Sequence, residues 1–130
     1  MVEKINKIQR LQLELIRNAS FNNFDGEQVV KDLIENKELW EGVVMWREAF
    51  SRRIDLICLR DISEDVWNVD TLFILVESKR KLNKLLQIVA TWNADEVDVI
   101  KGEEAQDLLG FWSRKDAERG LPIIVRVWWD

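Results

Sequence analysis

Two carboxylates and a lysine stand where apolar runs give way to polar chain: Asp55 in the stretch RRIDLICL, and Glu77 with Lys79 directly after LFILV. Carboxylate oxygens are hard ligands suited to Mg²⁺, and an ammonium group beside them can position and activate water. Such a trio would serve metal-assisted attack on a phosphate ester. Composition closes most other routes. The chain has no histidine, which excludes Ser-His-Asp and Cys-His catalysis and His-ligated zinc or haem. Its one cysteine, Cys58, excludes a Cys-rich zinc or iron–sulfur site and an internal disulfide within one chain. The five glycines, at 26, 42, 102, 110 and 120, form neither a dinucleotide fingerprint nor a P-loop.

The spacing of Asp55 and Glu77-Ser78-Lys79 resembles the metal-dependent nuclease pattern written PD-(D/E)xK. The resemblance implies that Asp55 and Glu77 hold Mg²⁺ at adjacent strand ends while Lys79 acts on the attacking water. It further implies an acid from a preceding helix, for which Glu38, Glu41 and Glu48 are the candidates, and a contribution from Lys84 or Gln87. It covers residues 53 to 87, and Ile54 replaces the motif's proline.

The same residues have an architectural explanation, and it is the one adopted. Leu72 to Val76 reads as a strand covered on both faces, and Ser78 is a good helix N-cap. Leu82, Leu85, Leu86, Val89 and Trp92 recur at helical spacing, and Val97 and Val99 then alternate with Glu96 and Asp98 as in a half-wet strand. Thr71 to Ile100 is thus expected to be a βαβ unit with parallel strands. On this reading Glu77 and Lys79 merely flank the cap, and Asp55 lies in a strand.

Around that unit, residues 3 to 18 are expected to form a helix burying Ile5, Ile8, Leu11, Leu15 and Ala19. Asp25 and Gln28 suggest a capping box opening a second helix that runs to about Trp40. The stretch from Trp40 to Phe50 reads slightly more as helix than strand, and Ile54 to Leu59 reads as a strand that buries Cys58. Residues 102 to 109 form a short helix closed by Gly110, and Leu121 to Trp129 a final strand opened by Pro122. The expected fold is α/β: one domain over residues 1–130, a single mixed, partly parallel sheet of about four strands flanked by helices, and an N-terminal helical pair.

A net charge of −5 disfavours nucleic acid as a partner, and no apolar run is long enough for a membrane span. The single cysteine fits a reducing cytoplasm. Of the seven tryptophans (40, 46, 67, 92, 112, 128 and 129), most are expected to pack in the core. Trp92 is expected in the core, Trp128 and Trp129 on opposite sides of a strand, and Trp67 and Trp112 at the surface. The sequence offers almost no catalytic constellation and a binding module needs none, so the expected role is non-enzymatic, protein contact or self-association; aromatics are enriched at interfaces, which allows a homodimer through Trp112 or Trp128. No catalytic, metal or cofactor residue is assigned on this reading, and Mg²⁺ belongs only to the nuclease alternative.

Overall fold

The computed structural model describes residues 4–47 and 56–130. It is a mixed α/β structure with two antiparallel sheets. Helix α1 (Lys7–Asn18) leads into a small hairpin, β1 (Ser20–Phe21) and β2 (Phe24–Asp25), followed by α2 (Gly26–Glu35) and a 3₁₀ turn (Lys37–Leu39). The main sheet is built from β3 (Gly42–Trp46), β4 (Thr71–Val76), β5 (Glu96–Lys101) and β6 (Ile123–Trp128). The remaining helices are α3 (Ile57–Ile62), α4 (Lys79–Val89), α5 (Glu103–Leu109) and α6 (Arg114–Glu118). No helix among the described residues is long and apolar enough to cross a membrane.

The strand order is β3-β4-β6-β5, and every neighbouring pair is antiparallel. This corrects the expected parallel pairing. Strands β4 and β5 do run in the same direction, since both oppose β6, but β6 lies between them. The reason is burial. Strand β6 is apolar on nearly every residue and fits the interior, whereas Glu96 to Val99 of β5 are exposed on both faces, as an edge strand tolerates. Alternation in β5 therefore marks an edge rather than a half-wet partner of β4.

Two further expectations give way. Residues 42 to 46 are a strand, not a helix, paired along their whole length with β4 and alternating in burial. The predicted strand from Ile54 to Leu59 is helical from Ile57 onward, with the Leu59 and Arg60 amides donating to the Leu56 carbonyl. With β3 and β6 flanking β4, no place beside β4 remains for that run. Cys58 is half-buried, and its thiol donates to the Asn68 carbonyl at 2.9 Å.

One hydrophobic core fills the space between the sheet and helices α1, α2 and α4. The sheet contributes Val43 and Met45, then Leu72, Ile74 and Val76, then Ile123, Val125 and Val127. The helices contribute Leu13 and Ile16, Val29, Val30 and Leu33, and Leu82, Leu85 and Val89. Ser78 does cap α4, accepting from the Lys81 amide, and Asp25 caps α2, accepting from the Gln28 amide. Of the residues predicted to be buried around α1, Ala19 is buried and Ile5 packs against the core, but the other three are not. Ile8 is 83% exposed and Leu11 and Leu15 also face outward. The inward face instead carries Gln9 and Gln12 beside Leu13 and Ile16, because α1 lies against an edge strand whose backbone needs polar partners.

Candidate functional site

The nuclease alternative depends on three residues. Asp55 lies outside the described residues, as does Glu48. Glu77 follows β4 immediately, and Lys79 is the first residue of α4; both are exposed. The partner that Glu77 meets is Lys81, four residues on, which donates to its carboxylate. Glu41, just before β3, comes to the same corner because its amide donates to the Leu75 carbonyl at 2.8 Å. The two carboxyls share a hydrogen bond. This bond, followed by desolvation, raises the pKa of Glu41, while Lys81 and then the same bond lower that of Glu77. Asn36, Glu38, Arg80, Lys84 and Gln87 line a cleft of about 500 Å³ beside them. Among the described residues no group of three or more acidic or thiol side chains is gathered to hold a metal ion.

The larger feature is the sheet face away from the core. Strand pleating sends alternate side chains to it, and the register aligns them in rows. One row runs Gly42, Leu75, Ile124, Ile100. The next is Val44, Phe73, Arg126, Asp98, and the third Trp46, Thr71, Trp128, Glu96. The face is therefore uncharged over β3 and β4, and its charges, Arg126, Asp98 and Glu96, are confined to β6 and β5, beside Ile124, Trp128 and Ile100. On the charged half Arg126 donates to Glu96 at 3.2 Å and to Asp98 at 2.7 Å.

The uncharged half holds a groove of about 460 Å³ lined by β3, β4, Ile124 and the α5 residues Leu108 and Leu109. Gly42 lines it without contributing a side chain. Trp46 is 64% exposed, and Val44, Leu108 and Leu109 are exposed too. Helix α5 is held in place by Gln106, which is fully buried and fully bonded. Its amide nitrogen donates to the carbonyls of Ser113 and Leu121, and its oxygen accepts from the Ser113 amide. That bonding also fixes the segment bearing Phe111 and Trp112, both exposed.

Of the tryptophans, Trp40, Trp92 and Trp129 are buried, each with its indole N–H bonded: to the Leu33 carbonyl, the Asp32 carboxylate and the Trp92 carbonyl respectively. Trp112 is exposed as expected, but Trp67 is half-buried. Trp46 is the one that sequence reasoning missed. Assigning residues 40 to 50 to a helix hid the alternation that sends Val43 and Met45 inward and Val44 and Trp46 outward. That alternation was the available signal.

Compared with family models, with curated proteins and with solved structures, the chain matches none.

Proposed function

We propose that this chain is a non-enzymatic protein-contact domain whose working surface is the outer face of the main sheet. The observation that carries the reading is the apolar groove between β3, β4 and α5, with Trp46 standing 64% exposed at its side. Helices cover one face of the sheet, and an isolated antiparallel sheet ordinarily presents polar residues on the other. Here the β3–β4 half of that second face bears Val44, Trp46, Phe73 and Leu75. A contiguous apolar surface of this kind, rimmed by charge, is the signature of a contact site.

The test is a photo-crosslinking residue placed at Val44, compared with one at Glu27, which is exposed on α2 in the helical layer. Crosslinks formed in the cells that make the protein should come from position 44 and not from position 27. Equal yields at the two positions would end the reading.

One observation favours a second reading, a Mg²⁺-dependent nuclease. Glu41 and Glu77 converge at the end of β4 beside the head of α4, where the motif would place carboxylates. Glu77 would hold the ion with Asp55, and Lys79 would position water; Lys81 would have to release Glu77 first. Calorimetry with Mn²⁺ separates the cases. Heat from the wild type that disappears in Glu77→Ala supports a site, and flat traces from both remove it.

A further inference from the structure

Among the described residues nothing requires position 42 to be glycine. A β-carbon built there would meet nothing closer than the Gln9 side-chain oxygen at 3.7 Å, an ordinary contact, and its backbone is not in the left-handed region. Glycine in a strand costs conformational entropy and forgoes packing, and at Gly42, the first residue of β3, it leaves an opening on the outer face into which another group can come close. Gly26 makes the contrast: a β-carbon there would sit 2.1 Å from the Ile16 carbonyl oxygen, and the fold itself demands the gap.

We propose that the gap at Gly42 receives Trp46 of a second copy, so that two chains pack sheet to sheet about a two-fold axis through Val44. This rests on the protein-contact reading above and names its partner. Gly42, Val44 and Trp46 project from the same face of β3, with Val44 midway. A two-fold axis through Val44, with the two β3 strands crossing antiparallel, places residue 46 of each chain over residue 42 of the other. The knob and the hole are about 13 Å apart along the strand, at roughly 3.3 Å per residue. Each copy supplies one of each, which is the condition for an isologous contact, and the two valines meet at the axis.

Sheets stacked face to face stand about 10 Å apart, a spacing that leaves no room for an indole opposite another large side chain but accommodates one opposite glycine. The area is adequate as well. Val44, Trp46, Leu108 and Leu109, with the open parts of Phe73 and Leu75, expose on the order of 450 Å² of apolar surface, the apolar share of a standard patch of about 800 Å² per partner. Among the described residues no charged side chain lines the groove. The ion pairs of Arg126 with Glu96 and Asp98 lie on the other half of the face, where they form its polar rim.

Sedimentation velocity on the full chain across a wide loading range tests the proposal. The wild type should sediment as a reversible dimer. Gly42→Leu should fill the hole and Trp46→Ala remove the knob, each weakening the dimer at least about tenfold in Kd. Both variants should keep the wild-type circular dichroism and, at loading concentrations where the wild type is monomeric, an unfolding midpoint close to its own, since neither side chain would meet a close contact within the described residues. The exchange variant Gly42→Trp/Trp46→Gly regenerates a knob and a hole related by the same axis and should recover dimerisation. A strictly monomeric wild type overturns the proposal, as does a Gly42→Leu protein that dimerises normally. If position 44 nonetheless crosslinks to a different protein in cells, the protein-contact reading survives and only the second copy as partner is lost.

Discussion

Gln9 and Val43 bond to each other twice. The Gln9 side-chain amide donates to the Val43 carbonyl at 2.8 Å, and the Val43 amide donates back to the Gln9 side-chain oxygen at 2.9 Å. One turn on, Gln12 accepts from the Met45 amide at 3.1 Å. Two glutamines of α1 thus supply, at the free edge of β3, hydrogen bonds that a neighbouring strand would otherwise supply. An unprotected edge invites edge-to-edge pairing with other chains, and here it is occupied from within.

Replacing Gln9 by leucine should leave both backbone groups of Val43 without partners and cost about 2 kcal/mol in urea unfolding. Gln12→Leu, which removes a single bond, should cost about half as much. Equal effects at the two positions would mean that the edge bonds are not what holds α1 to β3.

The two glycines that open α2 and β3 should respond in opposite ways to alanine. Gly26→Ala forces a methyl group against the backbone oxygens of Ile16 and Ala19, at 2.1 and 2.4 Å, and must push α1 away from α2. A loss of about 3 kcal/mol is expected. Gly42→Ala should be neutral or stabilise the chain by up to about 1 kcal/mol, through the unfolded state. Thermal or urea unfolding of the pair reads the difference directly.

Tryptophans at the core and on the outer face should separate in the same way. Trp129 is fully buried, packs edge-on to Phe24 with ring centres 4.6 Å apart, and bonds to the Trp92 carbonyl. Trp129→Ala should cost about 3–5 kcal/mol. Trp46→Ala should leave the stability of the single chain within about 0.5 kcal/mol, as expected of a surface change.

Asp61 gives the acid limb of stability a definite sign. Its carboxylate accepts from Arg60 and from Asn68, which lower its pKa from 3.8 to about 2. The fold prefers the ionised form, so this contribution is complete above 3.8 and is lost as the pH falls through about 2. Asp61→Asn should flatten the fall in stability across that window. An unchanged acid limb in the variant would show that these bonds do not distinguish the folded from the unfolded state.

The Glu41–Glu77 pair predicts a coupled titration. Glu41 is raised, so its contribution is present at low pH and lost as the pH rises through its folded value; Glu77 is lowered and behaves oppositely. In Glu77→Gln the carboxylate that holds the proton on Glu41 is gone, and Glu41 should titrate lower. Carboxyl-carbon NMR titration of the wild type and the variant reads the shift.

Local features were legible wherever they depend on neighbours in sequence. Ser78 and Asp25 cap helices because an oxygen and an amide three residues on meet within one turn. Gly110 closes α5 in the left-handed conformation because glycine alone adopts it without steric cost. Strands β4 and β6 followed from their apolar runs, and the corner bearing Glu77 and Lys79 from the boundary between strand and cap. Whether Asp55 joins that corner lies outside the described residues.

The tertiary structure decided what long-range pairing controls. Nothing local in Thr71 to Ile100 announces that β6, from the far end of the chain, inserts between β4 and β5 and turns a supposed parallel pair into an antiparallel sheet. The apolar positions of α1 could be read from sequence, but not that the edge of β3 would claim its glutamine face and leave Ile8, Leu11 and Leu15 outside. The outer face of the sheet has the same origin. Val44, Trp46, Leu75 and Leu108 are separate apolar residues in the chain, and only strand register and the placement of α5 bring them to one groove.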